Sequence, residues 1–324
     1  MVTRLNLPSE TATAWLADGT AEKELLEHGI GREIIDATPK GRLELAHKVI
    51  QFPIDITRRT SPKRLQELLR GVLAMRPECR RVGVITHSTL TRAAKELGGL
   101  FEARILIVTH FGSGQDRGSN QWLRAGCDLI VVAGTPRVDE TEIKKLLHRC
   151  GDIDALNRDG DWGELNWQGF TTTDKPRVIK GRGYRDPDWL KVHRSKVRAS
   201  IIQAAGRARA LLETGCDAVL LTTEETSFPL AEPGQDVEPL TESEAAVFDA
   251  LSELVLLIHL ENKLLCATSA EVAARCDLTD RHAREMLSRL EQRGMVTRIG
   301  ERGGWRLADA WLPSGAGAEG GASC

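Results

Sequence analysis

The sequence has few aromatic residues: one Tyr and six Phe in 324 positions, although seven are Trp. Its cysteines, at 79, 127, 150, 216, 266, 276 and 324, never form a CxxC pair and never group with histidine at zinc spacing. That pattern argues against a metal site. Most lie beside or inside apolar runs and read as small buried side chains in a reducing compartment. No apolar run is long enough to span a bilayer and no signal peptide is recognisable, so a cytoplasmic location without a membrane partner is expected. The most apolar stretch, Leu251 to Leu265, is interrupted by Glu253, His259, Glu261 and Lys263 and reads as a core helix. A charge excess is also missing: the formal net charge is −2, so any attraction to nucleic acid must be local. There is no internal repeat. The length suffices for two domains with sizeable cores.

Short apolar runs alternate with helical stretches. Strands are expected at His47 to Gln51, Val82 to Thr86, Arg104 to Val108, Asp128 to Ala133 and Ala218 to Thr222. Helices are expected from Ser61-Pro62, over Thr89 to Leu97, and at Trp122 to Ala125. The alternation predicts an α/β fold with a parallel sheet flanked by helices on both faces. Residues 1–46 contain the turn Asp18-Gly-Thr-Ala21 and a helix from about Ala21 to His28. Over 151–190 the periodicity lapses, and the stretch reads as an irregular insertion. Its Trp162, Trp167 and Trp189 either stack on bases or pin a loop onto the core.

From Phe228 the composition shifts to Pro, Gly, Glu and Asp, which marks 228–240 as a linker. Thr241-Glu-Ser-Glu244 then opens a long helix as a capping box. Helices over 268–275 and 279–293, and a hairpin over 294–307, complete a small winged-helix domain at 241–312. The glycine-rich tail, 313–324, reads as disordered.

The chain is organised around Gln203-Ala-Ala-Gly-Arg-Ala-Arg209. Arg207 and Arg209 cannot lose their charge, and their planar forks match phosphate oxygens. Gly206 leaves room for a neighbouring surface, and Gln203 can hydrogen-bond a phosphate oxygen. Taken alone, the motif also fits a solvated amphipathic helix. Two further loops are compatible with phosphate: Thr86-His87-Ser88 after a strand, and the glycine-rich turn containing Asp116, Arg117, Gly118, Ser119 and Asn120. Loops of this kind gather along the carboxyl edge of a parallel sheet.

In order and spacing these segments resemble the C-terminal, second RecA-like lobe of superfamily-two helicases and translocases of phage or mobile-element type. Asp18 to Ala21 is similar to motif III, Val82 to Ser88 to motif IV, Arg117 to Asn120 to motif V, and Gln203 to Arg209 to motif VI. The resemblance covers about residues 15–225 and rests chiefly on motifs V and VI. It implies a junction remnant at 1–46 and a RecA-like lobe at 47–227. It implies that Arg207 and Arg209, helped by Gln203, act as arginine fingers on ATP, and that Asp116, Arg117, Gly118, Asn120 and Gly206 line the nucleotide side. Thr86, His87 and Ser88 would then hold one DNA strand. Arg209 follows Arg207 by two positions where the family spacing is three, which leaves open which arginine reaches phosphate. The sequence has no GxxxxGK[ST] and no Asp-Glu pair ahead of Asp18. ATP and its Mg would have to be held with a partner lobe, the chain being a fragment, a split subunit or a degenerate lobe.

In the winged helix, Arg281, Arg284 and His282 fall early on the third helix, and Arg298, Arg302 and Arg306 on the wing. These are the residue types that neutralise DNA phosphates. Glu285, Glu291 and Glu301 offset them, which suits a protein contact equally. The alternative function is a non-enzymatic DNA-binding regulator whose α/β domain senses a ligand.

Overall fold

The computed structural model describes residues 45–97, 104–116, 120–149, 152–210, 212–235, 237–260, 266–300, 304–308 and 311, together with 27, 33 and 35. The motif III-like turn, the helix from Ala21 to His28, Arg117 to Ser119, Arg302 and the tail therefore lie outside the described residues.

Two compact units make up the chain, and the division is not linear. One gathers Met1–Thr60, Val82–Thr91 and Ile107–Asp236; the other gathers Ser61–Arg81, Arg92–Leu106 and Val237–Cys324.

The first unit is built on a five-stranded sheet. Its strands are β1 (Val49–Phe52), β2 (Val82–Thr86), β3 (Ile105–His110), β4 (Leu129–Ala133) and β7 (Asp217–Leu221), in the order β1-β7-β4-β2-β3. The pairings of β1 with β7, β7 with β4 and β4 with β2 are all parallel. β2 and β4 are buried at every position, as their unbroken apolar runs require. On one face Ile130, Val132 and Leu220 pack against Val197, Ile201 and Ala204 of the long helix Pro187–Ala205 and against Trp122. That helix is capped by Asp186, whose carboxylate accepts the amides of Asp188 and Trp189, with Pro187 at its first turn. Buried Gln51 ties the end of β1 to the chain beyond β7. Its amide donates to the carbonyls of Thr222 (2.9 Å) and Glu224 (2.7 Å).

The stretch expected to be irregular is a regular antiparallel ribbon of β5 (Trp162–Phe170) and β6 (Pro176–Tyr184), nine residues per strand. Four glycines hid it from a propensity reading. Gly169, Gly181 and Gly183 occupy the inward side, where a Cβ would meet Leu230 at 2.6 Å, the Thr223 carbonyl at 3.1 Å and Leu165 at 2.8 Å. The tryptophans pin rather than present: Trp189 Nε1 donates to the Ala155 carbonyl (2.8 Å) and Trp167 Nε1 to that of Thr223 (2.9 Å). The first part of the segment read as a linker is also fixed. Leu230 is fully buried and bridges Gln51 and Thr171.

In the second unit, the helix Pro62–Met75 starts at Ser61, whose hydroxyl accepts the Arg64 amide. Helices Glu242–Leu260, Ser269–Cys276 and Asp280–Gln292 are followed by the antiparallel pair Val296–Ile299 and Gly304–Leu307. Thr241 and Glu244 exchange backbone and side-chain bonds as a capping box, and Thr268 and Glu271 do the same. Among the described residues no helix is long and apolar enough to cross a membrane.

Candidate functional site

The helix Pro187–Ala205 runs out into one 3-10 turn, Gly206–Ala208, and Arg209 then adopts a left-handed conformation (φ 49°). The Cys216 amide donates to the Ala208 carbonyl (2.8 Å), which seats this turn at the amino end of β7. Arg207 Nε donates to the Gln203 carbonyl (3.3 Å), so Gln203 meets it through its backbone. Arg209 Nη2 donates to Asn120 Oδ1 (2.5 Å). Asn120 stands at the start of a short helix, Gln121–Arg124, yet its side chain makes no cap bond there. A Cβ on Gly206 would meet nothing within 4 Å, so the space in front of the turn is open.

Burial pushes the Arg207 guanidinium below its ordinary value, Arg209 pushes it the same way, and Asp116 opposes them. A guanidinium does not release its proton in this range, so both arginines stay charged, with Asp116 the acidic group that offsets Arg207.

Asp116 does not face outward to a ligand. It is fully buried. Its carboxylate accepts the Gly112 amide (2.7 Å) and the Gly114 amide (3.1 Å). Both glycines have positive φ, 79° and 84°, which suits glycine alone at low cost. The Gly114 amide, which a phosphate-binding turn would leave open, is thus taken by the loop's own carboxylate, as is that of Gly112; Gly118 lies outside the described residues. Trp122 Nε1 holds the Gln115 carbonyl (3.0 Å) and fixes the far end of the loop.

The three motif-like segments do not share one sheet edge. Thr86, His87 and Ser88 follow the carboxyl end of β2, whereas Gly206 to Arg209 precede β7. The loop from Phe111 spans between them: the Phe111 amide donates to the Thr86 carbonyl (3.0 Å), and Asn120 meets Arg209. Thr86 is buried and donates to the Ala133 carbonyl (2.8 Å). His87 is buried against Phe111, with Nε2 3.4 Å from the Ile56 carbonyl, and burial lowers its pKa. Ser88 is exposed. Arg117 and Gly118 lie outside the described residues.

Sequence reasoning missed a polar cluster at the carboxyl edge of the same unit. His193 is 0% exposed, and neither ring nitrogen has a hydrogen-bond partner. It stands edge-on to Trp162 (5.2 Å) and Tyr184 (5.6 Å). Burial and the nearby Arg137 and Arg194 lower its pKa to about 4. Glu224 is driven the other way, to about 7, by burial, although Arg194 lies 3.7 Å away. In the sequence His193 stands out only by its place in a basic run with Arg194, Lys196 and Arg198.

In the second unit the helix Asp280–Gln292 presents one open face made of Arg281, Arg284, Glu285, Ser288, Arg289 and Gln292. The Arg281 side chain is 91% exposed. Arg284 is engaged by Asp280 and by Ser269 Oγ (3.2 Å). Arg298 lies over the Trp305 ring at 6.0 Å. Ser288, Arg289 and Gln292 were not expected from sequence; they follow Arg281 at helical spacing on one face.

No family model matches the chain and no curated protein matches it. Among solved structures, a chain titled XPD apo aligns over 62% of this chain and 42% of its own length, at 15% identity and a TM-score of 0.38. The present chain thus spans less than half of that protein. A likeness this loose carries no argument about activity.

Proposed function

We propose that the first unit is the second RecA-like lobe of a nucleic-acid-dependent ATPase of the helicase type, presenting Arg207 and Arg209 to a triphosphate held by a P-loop lobe that this sequence does not contain. The observation that carries this reading is the meeting of the motif VI-like and motif V-like segments: Arg209 on Asn120, with Arg207 beside it under the field of a second cation.

The cavity beside Arg207 and Arg209 measures about 10 Å³, room for about one water and not for a phosphate or a nucleotide, so a ligand would meet the two guanidinium groups at the open surface in front of Gly206. The segment offers magnesium no open carboxylate, because Asp116 is buried on two amides. ATP and Mg would therefore be held mainly by the partner lobe, and the transferred phosphoryl group develops charge there. The part left to this chain is electrostatic: fixed guanidinium groups opposite developing negative charge, a contribution of roughly a thousandfold in rate.

The second unit has the element order of a winged helix. The exposed face of the helix Asp280–Gln292 supplies Arg281 and Arg289 as phosphate contacts, with Ser288 between them and Gln292 one turn beyond on the same face. A regulator with a ligand-sensing α/β unit is the second reading. It is favoured by the unpartnered His193 nitrogens at the carboxyl sheet edge, where open α/β sheets take ligands.

The deciding experiment is an ATPase assay, with and without DNA, of the chain co-expressed with the product of the neighbouring upstream frame if that frame carries GxxxxGK[ST] and an Asp-Glu pair. DNA-stimulated turnover that needs both chains and is lost in Arg207→Ala supports the motor. Robust turnover by this chain alone, lost in Arg207→Ala, would sink the split-site reading.

A further inference from the structure

The β5–β6 ribbon has two unlike faces. Its inward face carries Leu165, Trp167 and Ile179 and is tied to the chain beyond β7 through Trp167 and through Arg177 Nη1, which donates to the Ala231 carbonyl (3.0 Å). Every even-numbered residue from Glu164 to Phe170 and from Pro176 to Arg182 is exposed. Across the strands these pair as Glu164 with Arg182, Asn166 with Lys180, Gln168 with Val178 and Phe170 with Pro176. Phe170 and Val178 are 54% and 67% exposed, among the most exposed large apolar side chains described. They are diagonal neighbours on one face.

We propose that this outward face is a binding site for single-stranded nucleic acid. Each chemical requirement has a residue. Phe170 offers an exposed ring on which a base can stack, Lys180 and Arg182 face phosphates, and Asn166 and Gln168 carry amides that hydrogen-bond base edges. The face from the Glu164–Arg182 pair to the Phe170–Pro176 pair, six steps at about 3.3 Å per residue, makes a track of roughly 20 Å, long enough for about three nucleotides. A protein partner fits less well, since a stable interface needs roughly 800 Å² per side around an apolar centre, and here only Phe170, Pro176 and Val178 are apolar. The ribbon contains none of the arginine-turn residues, so this site stands or falls independently of the ATPase reading.

The test is fluorescence anisotropy of the full chain with labelled oligothymidylate and oligouridylate of about 20 nucleotides, a length above the usual span of one binding face, and with a duplex of equal length. Phe170→Ala, and separately Lys180→Ala with Arg182→Ala, are expected to weaken single-strand binding about tenfold each, the loss of one stacked base or of two phosphate contacts. The double alanine variant should also flatten the slope of log affinity against log salt by about 1.4. Lys180→Arg with Arg182→Lys should restore both affinity and slope, which a merely structural role would not require. Arg207→Ala should leave this affinity unchanged. Preference for oligothymidylate or oligouridylate tells DNA from RNA within the proposal. Unchanged single-strand binding in the ribbon variants, with all binding lost instead in Arg281→Ala with Arg289→Ala, overturns it. So does a change confined to oligomeric state, which would make the face a contact between copies.

Discussion

Arg209 and Asn120 lie 89 residues apart in the chain and meet at 2.5 Å, guanidinium on amide oxygen. The contact depends on a backbone irregularity: Arg209 is left-handed at φ 49°, a conformation that costs a non-glycine residue roughly 1 kcal/mol. Arg209→Gly is expected to hold or raise the melting temperature while lowering DNA-stimulated ATPase activity with the partner lobe. A variant that melts lower and keeps full activity would place the arginine in the fold and not in the site.

Asn120→Ala and Arg209→Ala should each weaken the link between the glycine loop and the arginine turn. Their double-mutant cycle in urea is expected to show a coupling of about 0.5–1 kcal/mol. Strict additivity would mean that the two side chains do not hold each other in solution.

Arg207→Lys should behave almost like Arg207→Ala in the reconstituted ATPase, with kcat down by roughly a thousandfold and DNA affinity unchanged. Lysine keeps the charge but not the planar fork. Retention of more than a tenth of the activity would show that any cation suffices.

His193 and Glu224 make opposite demands on pH. The folded pKa of His193 is depressed from 6.5 to about 4, so its contribution to stability is lost as pH falls from 6.5 towards 4. The folded pKa of Glu224 is raised from 4.5 to about 7, so its contribution is present below 4.5 and lost as pH rises towards 7. Between pH 4.5 and 6.5 the two largely cancel, each worth about 1.4 kcal/mol per pH unit at most. Glu224→Gln should therefore make stability climb with pH across that window, and His193→Gln should make it fall. Chemical denaturation at several pH values reads the slopes directly; slopes unchanged from the parent chain would show that neither group titrates abnormally.

In the second unit, Arg104 is buried and donates to the carbonyls of Leu73 (3.0 Å), Arg76 and Cys79 (2.7 Å) at the end of the helix Pro62–Met75. Its guanidinium also lies 5.5 Å from the centre of the Trp311 ring. Arg104→Met should cost about 3 kcal/mol in unfolding free energy, because buried carbonyls lose charge-assisted donors. Arg104→Lys should recover only part, lacking the fork that reaches several carbonyls at once. A loss below about 1 kcal/mol would mean that other donors replace it.

The parallel strands, the long helix into Arg207 and the caps at Ser61 and Thr241 were legible because each is written in a few consecutive residues. An apolar run, a proline after a serine, or a threonine three before a glutamate acts over one turn or one strand. The β5–β6 ribbon was not legible. Gly169, Gly181 and Gly183 weaken strand propensity and make sense only once Leu230, Thr223 and Leu165 press against them.

By itself the sequence determined the inventory: an α/β unit, an arginine pair that must stay charged, a glycine loop, and a helical domain ending in a hairpin. Tertiary structure alone decided who meets whom. It turned the loop's amides inward onto Asp116, seated the arginine turn at the opposite end of the strands from Thr86, and buried His193 without a partner. Those outcomes come from contacts between residues tens of positions apart, whose burial and field no local pattern encodes.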